Sequence, residues 1–104
     1  MVKLVDAYVN GTTLEVMVNA SRLDASTARE FKKRCEEVWR PDVAAISADL
    51  AQVSFLDSSG VGALLSLYQR LPSSNPSVKL RRVQPAVQAV IELLRLHRIF
   101  EIEN

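Results

Sequence analysis

Residues 55–65 read FLDSSGVGALL, an acid, two serines and two glycines set between apolar runs. Side chains of these types invite four chemistries, and their spacing discriminates among them. A phosphate-cradling loop is the first. Gly60 and Gly62 supply Gly-x-Gly, but Leu65 stands where a dinucleotide fingerprint needs its third glycine or alanine, and no lysine follows as in a P-loop. A serine nucleophile is the second, and neither Ser58 nor Ser59 has the glycine two residues earlier that shapes a nucleophile elbow. The one histidine, His97, lies in LRLHRIF, where partnership with a helix C-terminus suits it better than the role of catalytic base. A metal centre is the third, and a single histidine far in sequence from the single Cys35 does not make one. No catalytic residue, metal or cofactor is expected.

The fourth chemistry uses a hydroxyl as substrate. A serine in the first turn of a helix is exposed, and a phosphate placed there gains from the helix dipole. It would also set close to two negative charges and three oxygens beside Asp57, so a partner seated on that turn would meet both steric clash and repulsion. The simpler use of the same residues is capping, with Asp57 or Ser58 accepting from free first-turn amides. Capping leaves Gly60 and Gly62 unexplained, because glycine inside a helix costs about 1 kcal/mol relative to alanine. A close approach is implied there. Either the helix start packs tightly on the sheet, or a partner's backbone or a nucleotide comes down on the turn.

The elements that must hold this motif follow from periodicity. KLVDAYVNGTTLEVMVN alternates around Asn10-Gly11, with Leu14, Val16 and Val18 on one side, which predicts an N-terminal hairpin or meander. From Asp24 to Trp39 the period becomes helical, with Ala28, Phe31, Cys35, Val38 and Trp39 on one face. Thr27 with Glu30 would make a capping box, Asp24 is the alternative cap, and Pro41 lies beyond the end. Glu30 with Arg34, Lys32 with Glu36 and Lys33 with Glu37 are four-apart opposite charges on a solvated face. VAAISADL, residues 43–50, reads as a central strand covered on both faces, and VSFL leads into the motif. A second helix is expected over about residues 59–71, with LPSSNPS breaking it. VKLRRV, residues 78–83, alternates as a strand, Pro85 opens a third helix carrying Val87, Val90, Ile91 and Leu94, and RIFEIE is a last strand or extended tail. No internal repeat or linker is evident. The order implies an α/β fold, a mixed sheet whose later strands are joined through helices by right-handed βα crossovers.

Bulk properties narrow the function further. The chain has 104 residues, about one domain, with 48% apolar and 24% charged residues and a net charge of +1. That near balance gives no electrostatic reason to bind nucleic acid or an anionic membrane directly. No apolar stretch has the length of a spanning helix or a signal peptide, and the lone cysteine fits a reducing compartment. A cytoplasmic protein is expected.

ADLAQVSFLDSSGVGALLSLYQRL, residues 48–71, resembles the signature of STAS-domain anti-sigma-factor antagonists. The likeness extends to RLDASTAREFKKRCEEV, where a Leu-Asp pair introduces the first helix, and to VQPAVQAVIELLRLHRIFEI, similar to the family's last helix and its exit. It covers residues 1–104 as one STAS domain. The resemblance implies partner switching. An unmodified antagonist binds an anti-sigma factor that is itself a serine kinase, the kinase phosphorylates and so releases it, and a PP2C-type phosphatase resets it. The implied acceptor is the second hydroxyl of the Asp-Ser-Ser-Gly run, Ser59. Asp57, Ser58, Gly60, Val61 and Gly62, with Asp24 near the turn, are the implied partner-binding residues, while ATP and magnesium belong to the kinase. NASRLD lacks the glycine that members often carry before the Leu-Asp pair, which makes Asn19 to Arg22 weaker candidates than Ser59. The alternative within the resemblance is a constitutive STAS scaffold or transporter-associated subunit that is never phosphorylated.

Overall fold

A computed structural model describes residues 3–72, 74 and 76–103. Asn10-Gly11 closes the hairpin between β1 (Val5–Asn10) and β2 (Thr13–Val18), with Gly11 at φ +64°, a left-handed conformation that glycine adopts without steric cost. There follow β3 (Arg22–Leu23), α1 (Ala25–Val38), β4 (Ala45–Asp49), β5 (Phe55–Leu56) and α2 (Ser58–Arg70). The chain ends through β6 (Ser77–Arg81), α3 (Pro85–Leu93), a 3-10 turn (Leu96–Arg98) that exposes His97, and β7 (Phe100–Glu103). RIFEIE is thus a true strand. Of the LPSSNPS break, Ser73 and Asn75 lie outside the described residues, and α2 stops at Arg70 before Pro72.

The main sheet runs β1-β2-β4-β6-β7, antiparallel at β1–β2 and parallel thereafter. Every helical crossover therefore steps the same way along the sheet. A right-handed connection that always advances in one direction puts its helix on the same face each time, so α1, α2 and α3 share one side. Strand burial agrees with this. Val5, Ala7, Leu14, Val16, Val18, Val78, Leu80 and Phe100 are buried, while Asp6, Tyr8, Met17, Lys79 and Glu101 point outward into solvent.

Within the expected span 43–50 the central strand is buried on both faces as expected, although the helices cover only one of them. The strand is shorter, and Ile46 and Ala48 alone face the helices. Ser47 and Asp49 lie on the open face yet are almost fully buried. Their neighbours shield them. Arg81 Nε donates to Ser47 Oγ at 2.8 Å while its Nη2 reaches Glu15 Oε1 at 3.4 Å, and Arg82 forks onto Asp49. Guanidinium groups on and just beyond β6 thus partner the buried polar side chains of a central strand without a second helical layer.

α1 turns Thr27, Ala28, Phe31 and Cys35 inward, and Trp39 packs at its end beneath the Arg70 guanidinium, 4.5 Å from the ring centre. Its cap is Asp24, whose carboxylate accepts from the Thr27 amide at 3.4 Å, and not a Thr27–Glu30 box. The expected four-apart ion pairs are also rearranged. Arg34 pairs with Glu37 at 3.4 Å, and Glu36 pairs across the helix interface with Arg70. A helix docked beside a neighbour can spend its charges on that neighbour, which spacing along one helix does not reveal.

Candidate functional site between the helix starts

The motif is positioned by a small element that periodicity does not show. β3 and β5 form a two-residue parallel ladder, Arg22 opposite Phe55 and Leu23 opposite Leu56. The next residue on each strand is an aspartate, Asp24 or Asp57, and each caps the helix that follows. Two N-caps therefore stand side by side, and α1 and α2 leave together. The two units share the pattern Leu-Asp-x-Ser, at 23–26 and 56–59. That short internal repeat, absent from the periodicity reading, is visible once the ladder aligns it.

The repeat is unequal at its serines. Ser26 Oγ is drawn 3.4 Å from its own cap carboxylate, Asp24 Oδ1. Asp57 Oδ1 is instead engaged by the amides of Ser59, at 2.9 Å, and Gly60, at 3.0 Å. Ser58 and Ser59 are both exposed, and among the described residues neither hydroxyl has a hydrogen-bond partner. Ser59 opens into a groove of about 470 Å³ between α1 and α2, and Ser58 does not. The groove is floored by Ala25, Ala28, Gly62 and Ala63, with Ser66 at its far end and Arg29 and Lys32 along its α1 wall.

The two glycines separate. A Cβ on Gly60 would lie 2.2 Å from the Leu23 carbonyl oxygen and 2.7 Å from Leu56 Cδ1, so this glycine lets the first turn of α2 press against β3. A Cβ on Gly62 would meet nothing within 4 Å. Close packing inside the fold accounts for the first glycine and leaves the second, half-buried, facing open space. Gly60 and Val61, expected at the partner-binding surface, are both buried, Val61 in the core. Ser58 and Ser59 are exposed at one end of the molecule, with Asp24, Asp57 and Gly62 half-buried beside them.

Arg22 is the residue there that spacing undervalued. Its Nε donates to Asp24 Oδ2 at 3.1 Å, and its guanidinium lies 4.0 Å over the ring of Phe55. The Arg22 hydrogen bond, with the Thr27 amide, holds the Asp24 carboxyl below the usual carboxylate range. Phe55 is 40% exposed, so an aromatic face and an arginine flank the two caps. The signal was the two-residue ladder, too short for an alternation pattern.

Among the described residues no group of three histidine, cysteine or acidic side chains is gathered as a metal would need, and no helix is long and apolar enough to cross a membrane. The sequence matches the STAS domain over residues 5–104. The chain belongs to the STAS-domain family. It is 27% identical over 85 residues to the anti-sigma-B factor antagonist of Listeria monocytogenes, an alignment covering 82% of this chain and 75% of that one. The fold is similar to an anti-sigma factor antagonist from Mycobacterium paratuberculosis, with TM-score 0.76, 25% identity and coverage of 95% of this STAS chain and 83% of the other. It is also similar to the Bacillus cell-fate determinant SpoIIAA, solved in its phosphorylated form, with TM-score 0.70, 19% identity and coverage of 96% and 91%.

Proposed function

We propose that this STAS domain is an anti-sigma-factor antagonist that binds a serine-kinase anti-sigma factor when unmodified and is released when the kinase phosphorylates Ser59. The observation that carries this reading is the free, exposed Ser59 hydroxyl at the mouth of a groove floored by small residues. The names of the similar proteins, and the phosphorylated form in which one was solved, point the same way.

Each part has a physical role. Asp57 holds the turn rigid by accepting two amides, so the hydroxyl is presented in one place. Gly60 seats the turn on Leu23, and Gly62 leaves room for a partner's backbone. Asp24 and Ser58 complete the exposed surface around the acceptor, and Val61 anchors it from beneath. The kinase brings ATP and magnesium. The Ser59 oxygen attacks the γ-phosphorus, the bond to the β-bridging oxygen breaks, ADP leaves, and the hydroxyl proton passes to a base on the kinase. The new phosphate then clashes with and repels the partner, and a PP2C-type phosphatase removes it by hydrolysis.

The test is to incubate the protein with the kinase and magnesium-ATP, then map phosphate by mass spectrometry on wild type and Ser59→Ala. Phosphate on wild-type Ser59 and none on Ser59→Ala is expected. Phosphate on Ser58, or on neither serine, overturns the assignment.

A further inference from the structure

The groove beside Ser59 is not electrically neutral. Its α1 wall carries Arg29 and Lys32, three residues apart on one helix face, looking across at α2. Both are exposed, and among the described residues neither has a hydrogen-bond or ion-pair partner. Glu36, the acid four residues on from Lys32, is engaged instead by Arg70.

Geometry aims this wall at Ser59. The caps Asp24 and Asp57 follow paired residues of parallel strands, so α1 and α2 start level and run the same way. Helical side chains lean toward the N-terminus of their own helix, so Arg29, one turn into α1, reaches back toward the level of Ser59. Only Ala25, Ala28, Gly62 and Ala63 lie between, and none is long enough to intervene.

A phosphate at Ser59 needs such donors. Helix starts ordinarily supply free amides to an anion, but here Asp57 has already taken those of Ser59 and Gly60, and its carboxylate repels a second anion. The unpaired cations of Arg29 and Lys32 line the same groove as Ser59. We infer that Arg29 and Lys32 form a phosphate-holding wall, so that a phosphate on Ser59 folds into the α1–α2 groove and is gripped there. The guanidinium of Arg29 matches two phosphate oxygens at once, and Lys32 adds a point charge behind it. The captured phosphate fills the space over Gly62 and Ala63, and release of the partner then follows from occlusion of the groove as well as from repulsion.

This inference rests on Ser59 being the acceptor, but its test does not depend on a kinase. Phosphoserine is placed at position 59 by genetic-code expansion, and the phosphate is titrated by phosphorus NMR in the otherwise wild-type chain and with Arg29→Gln and Lys32→Gln, singly and together. The second phosphate pKa is expected to lie about half a unit lower with the wall intact than in the double variant, with Arg29→Gln giving the larger single effect and molar salt closing the gap. Equal values in all four proteins overturn the wall, whatever the kinase experiment shows. If the double variant weakens kinase binding by the unmodified protein while the phosphate pKa stays unchanged, the cations serve an acidic face of the partner, and the wall is again overturned.

Discussion

Substituting alanine at Gly60 and at Gly62, two residues apart in one helix, is expected to have opposite effects on stability. At Gly60 the added carbon would stand 2.2 Å from the Leu23 carbonyl oxygen, where ordinary contact needs well over 3 Å, so α2 must lift from β3 by about 1 Å. Overpacking of this kind costs about 1–3 kcal/mol, and alanine's better helix propensity returns up to about 1 kcal/mol. The net loss is about 1–2 kcal/mol, a fall in Tm of roughly 5–15 °C for a domain of this size. At Gly62 nothing lies within 4 Å of the new methyl, so the propensity gain stands alone at about 0.5–1 kcal/mol, a rise of roughly 3–6 °C. Urea denaturation followed by far-UV circular dichroism, with a thermal scan of each variant, measures both. If Gly60→Ala is as stable as wild type, close approach to Leu23 does not select that glycine. If both variants shift the same way, the division into an inner and an outer glycine is wrong.

Further outcomes follow from the same contacts. Asp57→Ala removes the acceptor of two first-turn amides and should cost about 1–2 kcal/mol, read as a lower urea midpoint with unchanged m-value. Ser59→Asp adds charge at an exposed, unpartnered position and should keep the wild-type Tm while losing affinity for the kinase in a calorimetric titration; tight binding by this variant would refute the electrostatic part of the switch. Burial pushes the Asp49 carboxyl up, but hydrogen bonds from Arg82 and the Ala51 amide, with the charges of Arg82 and Arg81, outweigh it and hold the group below its ordinary 3.8. Its stabilising contribution is therefore complete above about pH 4 and is lost as pH falls through the lowered folded value. Arg82→Gln should lower the urea midpoint slightly at neutral pH, since Arg82 is largely in solvent, and its deficit should vanish in strong acid, as urea midpoints across that range would show.

Much of this architecture follows from local pattern. The hairpin at Asn10-Gly11, the helical face of α1, that of α3 as far as Ile91 and the break after α2 are each encoded by neighbouring residues, and right-handed crossovers then restrict the topology, whereas Leu94, expected on the α3 face, ends that helix exposed. The Asp-Ser-Ser-Gly run likewise marks itself as a polar helix start, since those residue types cap and their spacing excludes a P-loop or a nucleophile elbow. What stayed hidden depends on elements far apart in sequence. The buried Ser47 and Asp49 are partnered by arginines on β6 and just beyond it, with no second helical layer over them. The β3–β5 ladder spans two residues on each side, too few to leave a periodic trace, yet it sets both caps level.

The motif itself divides along the same line. Residue types and spacing determined that a hydroxyl would sit in the first turn of a helix behind a capping acid, because capping and helix propensity act within a few residues. Only the tertiary structure decided which glycine packs inward, which serine opens on the groove and which cations face it. Those properties belong to the space between α1 and α2, and that space exists only once residues 22–23 and 55–56 have paired.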